Sequence, residues 1–456
     1  MSRSNSRDMT SGSIARHMFL FALPLLLGNL LQQMYNMVDS WAVGNFVGDT
    51  ALTAVGAGFT VMNLLISLFT GVSTGATVVV SQFFGARRPE RVQAVVDTVY
   101  RMLLVGAVPL TLAAFFSTDW LLAVLRVDPV ALPEARCYIR IVSLGLTASI
   151  GYNFNAGILR GLGDSRASLL FLAISAGMNA GMDLLLVAVL RLGVAGAAIA
   201  TILAQAVSWL CGILYINRQG LRVRLWGAPF ESKLLRSILG IGLPAGLQMA
   251  TVSLGGMAVM SKVNTFGNSY SAGYSVGLRI DNLVFLPIQA LSSAATAVVG
   301  QNAGAGREDR VRSAAWCVVS ACAGWCAVGI LLFYPIREQL VRLFSDTPET
   351  IACGARFVQC VLPAYFLLSI LFALNSVMRG AGESVVPMLV AVIGQIFIRI
   401  PAVYYLADRF GPEYMYYGFA IGWAAGLTLG VGYFASGRWK RRWFPRNDTE
   451  SGKGYQ

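Results

Sequence analysis

Only one histidine, His17, occurs in 456 residues, and it falls at the edge of the first apolar run. One imidazole cannot build a histidine-based metal or catalytic site, which removes most enzyme classes. No nucleophile paired with a base and no recognisable selectivity-filter loop is present either, so a membrane-embedded enzyme and a channel are both disfavoured. Charge is scarce: Asp, Glu, Lys and Arg make up 12% of the chain against the usual quarter, while 56% is hydrophobic. Lipid is therefore the expected solvent. The seven cysteines, at 137, 211, 317, 322, 326, 353 and 360, contain no C-x-x-C pair and lie in or beside apolar runs, so they are expected to pack as small apolar residues and not to form disulfides. A net charge of +13 invites a nucleic-acid reading. Basic residues spread over short loops without interleaved aromatic platforms argue against it.

What is there is a succession of long apolar runs, at about 16–40, 51–80, 93–116, 136–158, 166–190, 194–216, 233–260, 275–300, 313–334, 356–377, 385–408 and 414–438. Twelve runs of this length indicate helices, since barrel strands would alternate over about ten residues. The 48 glycines suit close helix packing. The first fifteen residues are polar and carry no cleavable hydrophobic core, so the first run is expected to be a retained span. Roughly two thirds of the 35 Lys and Arg fall in the first tail, the loops after even-numbered spans and the last tail, which places both termini in the cytoplasm by the positive-inside rule.

The strongest organisational signal is a repeat. Residues 82–92, QFFGARRPERV, recur as QNAGAGREDRV at 301–311, and 159–165, LRGLGDS, recur as MRGAGES at 378–384, both at an offset of 219. Both pairs fall in loops on the same side, after spans 2 and 8 and after spans 4 and 10. The expected architecture is thus all-α and polytopic: two parallel six-helix repeats, residues 1–218 and 219–456, joined by a cytoplasmic linker near 217–232.

The repeat serves as an internal control, because scaffold residues should recur and residues with a one-sided task need not. Of 22 acids only Asp39, Asp97, Asp183 and Asp281 fall inside expected spans, where each costs about 3 kcal/mol on insertion scales. Asp97 has Arg101 one turn on, an arrangement that satisfies both locally. Asp281 lies beside Arg279 but does not share a helix face with it, and it is the one second-half candidate. Asp39 and Asp183 have no basic neighbour within a turn. Tyr35 precedes Asp39 by four residues, Asn179 precedes Asp183 by four, and Thr201 projects from the adjoining span; at about 1.5 Å per residue all fall in the outer half of the bilayer. At offset 219 the counterparts of Asp39, Asn179, Asp183 and Thr201 are Ala258, Ile398, Ala402 and Ala420, all apolar. The polar set therefore belongs to the first half alone and is not needed for the fold. Its oxygens suit a hard cation such as Na+, and equally a proton, since carboxylic acids withdrawn from water favour their neutral form. A site that binds H+ or Na+ in one conformation and an organic substrate in another couples their movements. Pro24 in span 1 and Pro244 in span 7 each remove a backbone hydrogen bond. Only span 1 carries an acid beyond its proline, so the kink at Pro24 is expected either to switch with occupation of Asp39 or to be static.

In order and spacing, ALPLLLGNLLQQMYNMVDSWAVGNFVGD, LRGLGDS, NAGMD, GAAIAT and VGQNAGAGRED resemble the multidrug and toxic compound extrusion (MATE) family, in its prokaryotic branch related to the DNA-damage-inducible F proteins. The resemblance covers nearly the whole chain. It implies a V-shaped pair of six-helix lobes and alternating-access antiport, exporting cationic or amphipathic small organic compounds against H+ or Na+ with no other cofactor. Carried over by motif, the family's cation site falls on Asp39, Asn179, Asp183 and Thr201, with Gln32, Tyr35 and Asn155 lining the adjoining substrate cavity. Span 7 lacks the acids some members carry there. The alternative is a flippase for lipid-linked saccharides, in which Arg279 and Arg399 would meet the pyrophosphate. The expected partners are small organic substrates and the lipid bilayer, without nucleic acid, for a protein working as a monomer in a bacterial inner membrane.

Overall fold

The computed structural model describes residues 7–124, 128–224 and 230–442. All regular structure among them is helical. In chain order the α-helices are α1 (Ile14–Phe46), α2 (Asp49–Gly85), α3 (Pro89–Phe116), α4 (Thr118–Val124), α5 (Leu132–Leu144), α6 (Leu146–Gly161), α7 (Ser165–Asp183), α8 (Gly193–Arg218), α9 (Ser232–Asn264), α10 (Asn268–Gly304), α11 (Glu308–Phe333), α12 (Arg337–Arg342), α13 (Pro348–Gly380), α14 (Val385–Val392), α15 (Ile400–Phe410) and α16 (Tyr417–Ala435). Among the described residues, eleven helical segments are long and apolar enough to cross a membrane. The twelfth expected span, 136–158, falls on the pair α5 and α6, neither of which reaches that length alone. Gly145 separates them, and a Cβ there would stand 2.3 Å from Ile202 Cγ1, so the break lies where α8 packs in closely. Of the linker near 217–232, residues 225–229 lie outside the described residues.

The chain forms two compact units, and each exchanges an arm at its proline helix. One unit holds Leu27–Leu243; the other holds Met9–Leu26 and everything described from Pro244 onward. The start of α9, with Leu234, Ile238 and Ile241, is buried in the first core beside Val72 and Ala76. Met9, Met18, Phe21 and Ala22 are buried in the second core with Val284, Ile288 and Val318. The exchange points sit at Pro244 and just past Pro24, where the helix ladder lacks a bond.

The duplicated loops hold those arms. Arg310, at the end of the second motif copy, donates to the carbonyls of Gly12 at 2.9 Å and Met9 at 3.1 Å, while the Met9 N–H donates to Gln301 Oε1 at 2.9 Å. In the first copy Arg91, the repeat counterpart of Arg310, pairs with Glu231 at 2.8 Å, and Glu231 is the counterpart of Gly12. Each copy thus secures the residues just before a proline helix.

The second repeated motif builds a helix start. Asp164 accepts from the Ala167 N–H at 3.0 Å, capping α7, and from the Tyr215 hydroxyl at 2.7 Å. Its counterpart Glu383 accepts from the Val385 N–H at 3.0 Å and the Tyr433 hydroxyl at 3.3 Å. The preceding glycines, Gly163 with φ +82° and Gly382 with φ +95°, occupy backbone that a side chain would strain. These recurring acids are structural, as the repeat comparison requires of residues present in both halves.

The remaining embedded groups are accounted for locally. Asp97 is buried and accepts from Gln93 Nε2 at 3.0 Å, so its partner stands one turn before it, whereas Arg101 lies over the Phe230 ring at 5.6 Å. All seven cysteines are unpaired. His17 contacts the Ser11 carbonyl at 2.7 Å.

Candidate coupling site

In the first unit, α1, α7 and α8 bring the expected polar set together. Asp183 closes α7 and is 0% exposed, as is Asn179 one turn before it, and Thr201 on α8 is 9% exposed. The Asp39 and Asp183 carboxyl groups face each other at hydrogen-bonding range. Both are acceptors when ionised, and Asp39 Oδ1, Asp183 Oδ1, Asp183 Oδ2 and Asn179 Oδ1 are buried without a protein donor. Four such oxygens in one place are costly unless a proton or cation joins them.

Thr201 organises the set. Its hydroxyl donates to the Ala197 carbonyl at 3.0 Å and receives long contacts from the Tyr35 hydroxyl at 3.4 Å and Asn179 Nδ2 at 3.5 Å. These contacts tie Tyr35 and Asn179 to α8 through Thr201. A π-helical stretch, Leu184–Val189, begins directly after Asp183. Such insertions widen a helix and recur at functional positions.

Two expected residues stand apart. Gln32 contacts Asn36 Oδ1 at 3.5 Å along its own helix. Asn155 is 2% exposed, donates to the Trp209 carbonyl at 2.9 Å and accepts from the Tyr100 hydroxyl, so its amide bridges α3, α6 and α8. Trp209 lies eight residues beyond Thr201, about 12 Å along α8. One residue was not anticipated: buried Tyr138 on α5 is close enough to Asp39, Tyr35 and Asp183 to interact electrostatically with all three. A Cβ on Gly58 would come within 2.4 Å of its ring, so a glycine on α2 admits it. No spacing in the sequence links positions 58, 138 and 183.

In the second unit Asp281 on α10 lies close to the Tyr365 hydroxyl of α13. Among the described residues no group of three or more His, Cys, Asp or Glu is gathered as a metal site.

The family model described as MatE matches twice, over residues 24–185 and 244–405. The chain is similar to the probable multidrug resistance protein YpnP of Bacillus subtilis, at 30% identity over 439 residues covering 95% of this chain and 97% of that one. It is also similar to the probable multidrug resistance protein NorM of Thermotoga maritima, at 26% identity over 448 residues and 94% of each chain. A solved outward-facing multidrug resistance MATE family transporter shares the fold with a TM-score of 0.89 at 22% identity, over 97% of this chain and 99% of that one. With both repeats matched and relatives aligned end to end, the chain belongs to the MatE family: it is a multi-pass membrane transporter of small molecules, not an enzyme.

Proposed function

We propose that this protein is a secondary antiporter that exports small cationic or amphipathic organic compounds of the multidrug type in exchange for H+ or Na+. The observation that supports the reading is the Asp39–Asp183 pair, whose three buried, donorless oxygens lie with that of Asn179. A proton between the carboxyl groups, or Na+ among the two carboxylates and Asn179 Oδ1, satisfies them at once. Coupling then follows from linkage: if cation and substrate favour different conformations, the gradient of one drives the other. Asp39 lies on α1 beyond Pro24, where a ladder bond is missing, so occupation of the pair biases the bend of α1. Gln32, Tyr35 and Asn155 are proposed to line the substrate path, and the protein to act as a monomer in a bacterial inner membrane with both termini cytoplasmic.

The lipid-linked saccharide flippase is favoured by one observation, the buried Arg399 in the second unit. Everted vesicles containing the full chain separate the two. Gradient-driven uptake of a fluorescent organic cation, under a proton or a Na+ gradient, is expected in the native protein and lost in Asp39→Asn and Asp183→Asn. Uptake surviving both substitutions sinks the antiport mechanism.

A further inference from the structure

Around α15 and α16 of the second unit, two buried donors lack an acceptor, the Nε of Arg399 and the indole N–H of Trp423. Arg399 is 4% exposed and closes a second π-helical stretch, Ile393–Arg399, in the span that corresponds by repeat to α7. One of its N–H groups donates to Gln395 Oε1 at 2.5 Å, its guanidinium lies 4.0 Å from the centre of the Phe419 ring, and its Nε has no partner. Among the described residues no carboxylate lies within ion-pair distance of it. Trp423, one turn beyond Phe419 on α16, is 4% exposed with its indole N–H unpartnered. Guanidinium and indole are donors only.

The enclosure is built for this arrangement. A Cβ on Gly422 would stand 2.7 Å from Arg399 Cβ, so that glycine lets Arg399 seat against α16 with its guanidinium over Phe419. Aromatic rings close the surroundings: Phe419 to Trp423 at 5.6 Å, Tyr365 to Trp423 at 5.2 Å and Phe357 to Phe419 at 5.8 Å. Asp281, close to the Tyr365 hydroxyl, is the negative charge that faces Arg399, and Tyr274 faces Arg399 from the same helix as Asp281. Asp281 offsets the charge of Arg399 from a distance, but the Arg399 Nε and the Trp423 indole N–H still lack an acceptor, and an oxyanion accepts from both kinds of donor.

We infer that the second unit holds an oxyanion subsite, formed by Arg399 and Trp423 and walled by aromatic rings, which takes the carboxylate or phosphate of an amphipathic substrate. The subsite rests on the transporter reading for its occupant being cargo; its existence is tested by binding alone. Asp281 opposes the incoming charge and weakens the site. The first unit thus takes the coupling cation, and the second takes the anionic group of the substrate.

The test uses the purified full chain in lipid nanodiscs and two probes, a rhodamine dye bearing a free carboxylate and its methyl ester, with affinities read by fluorescence anisotropy. The acid is expected to bind roughly tenfold tighter than the ester, in line with one charge-assisted contact. Arg399→Gln should abolish the preference, Arg399→Lys keep part of it, and Asp281→Asn widen it several-fold. An unchanged acid-to-ester ratio in Arg399→Gln, or no preference in the native protein, overturns the subsite. Should Arg399→Gln fail to fold, Trp423→Phe keeps a ring and removes one donor; a ratio it does not narrow overturns the proposal equally. Vesicle export of the ester without acid preference removes the subsite and leaves the exporter, whereas acid preference without export of either dye does the reverse. Displacement of the acid by a membrane-borne alkyl phosphate assigns the group to a lipid; its failure to displace assigns it to a soluble substrate.

Discussion

Arg310→Ala should release the chain segment before α1, and by much more than Arg91→Ala releases the segment before α9, although the two arginines are repeat counterparts. Arg310 makes three contacts, to the Met9 and Gly12 carbonyls and, at 2.8 Å, to Asn302 Oδ1. Hydrogen bonds to a charged group contribute about 1.5–3 kcal/mol each. The Gly12 contact is exposed, and the Met9 carbonyl keeps Asn302 Nδ2 at 3.1 Å, so the loss is discounted to about 2–4 kcal/mol. Arg91 makes one ion pair whose side chains are 35% and 40% exposed, which is screened to about 0–1 kcal/mol. At 1.4 kcal/mol per decade, local opening near residues 9–13 should rise roughly 30- to 1,000-fold in Arg310→Ala, and near residue 231 less than about fivefold in Arg91→Ala. Hydrogen exchange of the full chain in nanodiscs, read on peptides spanning each segment, measures both. Equal increases, or unchanged protection at residues 9–13, would refute the clamp. The clamp anchors α1 at its start, on the side of Pro24 away from Asp39.

Asp183→Asn keeps the side-chain volume, removes a charge facing Asp39 and supplies a donor. Two unit charges at about 4 Å repel by up to about 4 kcal/mol at an effective dielectric constant near 20, so the Tm of the purified chain should hold or rise while gradient-driven export falls to background. A lowered Tm with export intact would return the pair to a structural role. Single cysteines placed along residues 20–40 should label at rates that change with pH or Na+ beyond Pro24 and stay constant before it; uniform rates would count against a bend at that proline. Gly163→Ala places a Cβ at φ +82° and should destabilise the first unit by about 1–2 kcal/mol, measured by thermal unfolding, with no change in the ion dependence of transport.

Much of this was legible beforehand because a membrane restricts the possibilities. Apolar runs become helices, and an acid inside one needs a reason. The acids differ in place as they differ in recurrence: Asp164 and Glu383 recur and accept from backbone N–H groups at helix starts, whereas Asp39 and Asp183 have alanine counterparts and meet in one buried cluster. For Asp97 the spacing points to Arg101, the residue one turn after it, whereas Gln93, one turn before, donates to it. Both neighbours lie one turn away, so spacing alone does not choose between them. The break at Gly145 and the presence of Tyr138 were not legible, since both depend on which side chain of another helix arrives there.

The sequence by itself determined the solvent, the helices, the duplication and the residues that depart from it, because hydrophobic length, cost of burial and repeat offset are properties of the chain read in order. Only the tertiary structure decided which donors and acceptors are left unmatched. Thr201 receives contacts from Tyr35 and Asn179, Asp183 has two oxygens without a donor, and Arg399 has a buried Nε without an acceptor. Hydrogen-bond saturation is decided within about 3 Å, and contacts at that range are set by helix packing between residues far apart in the chain.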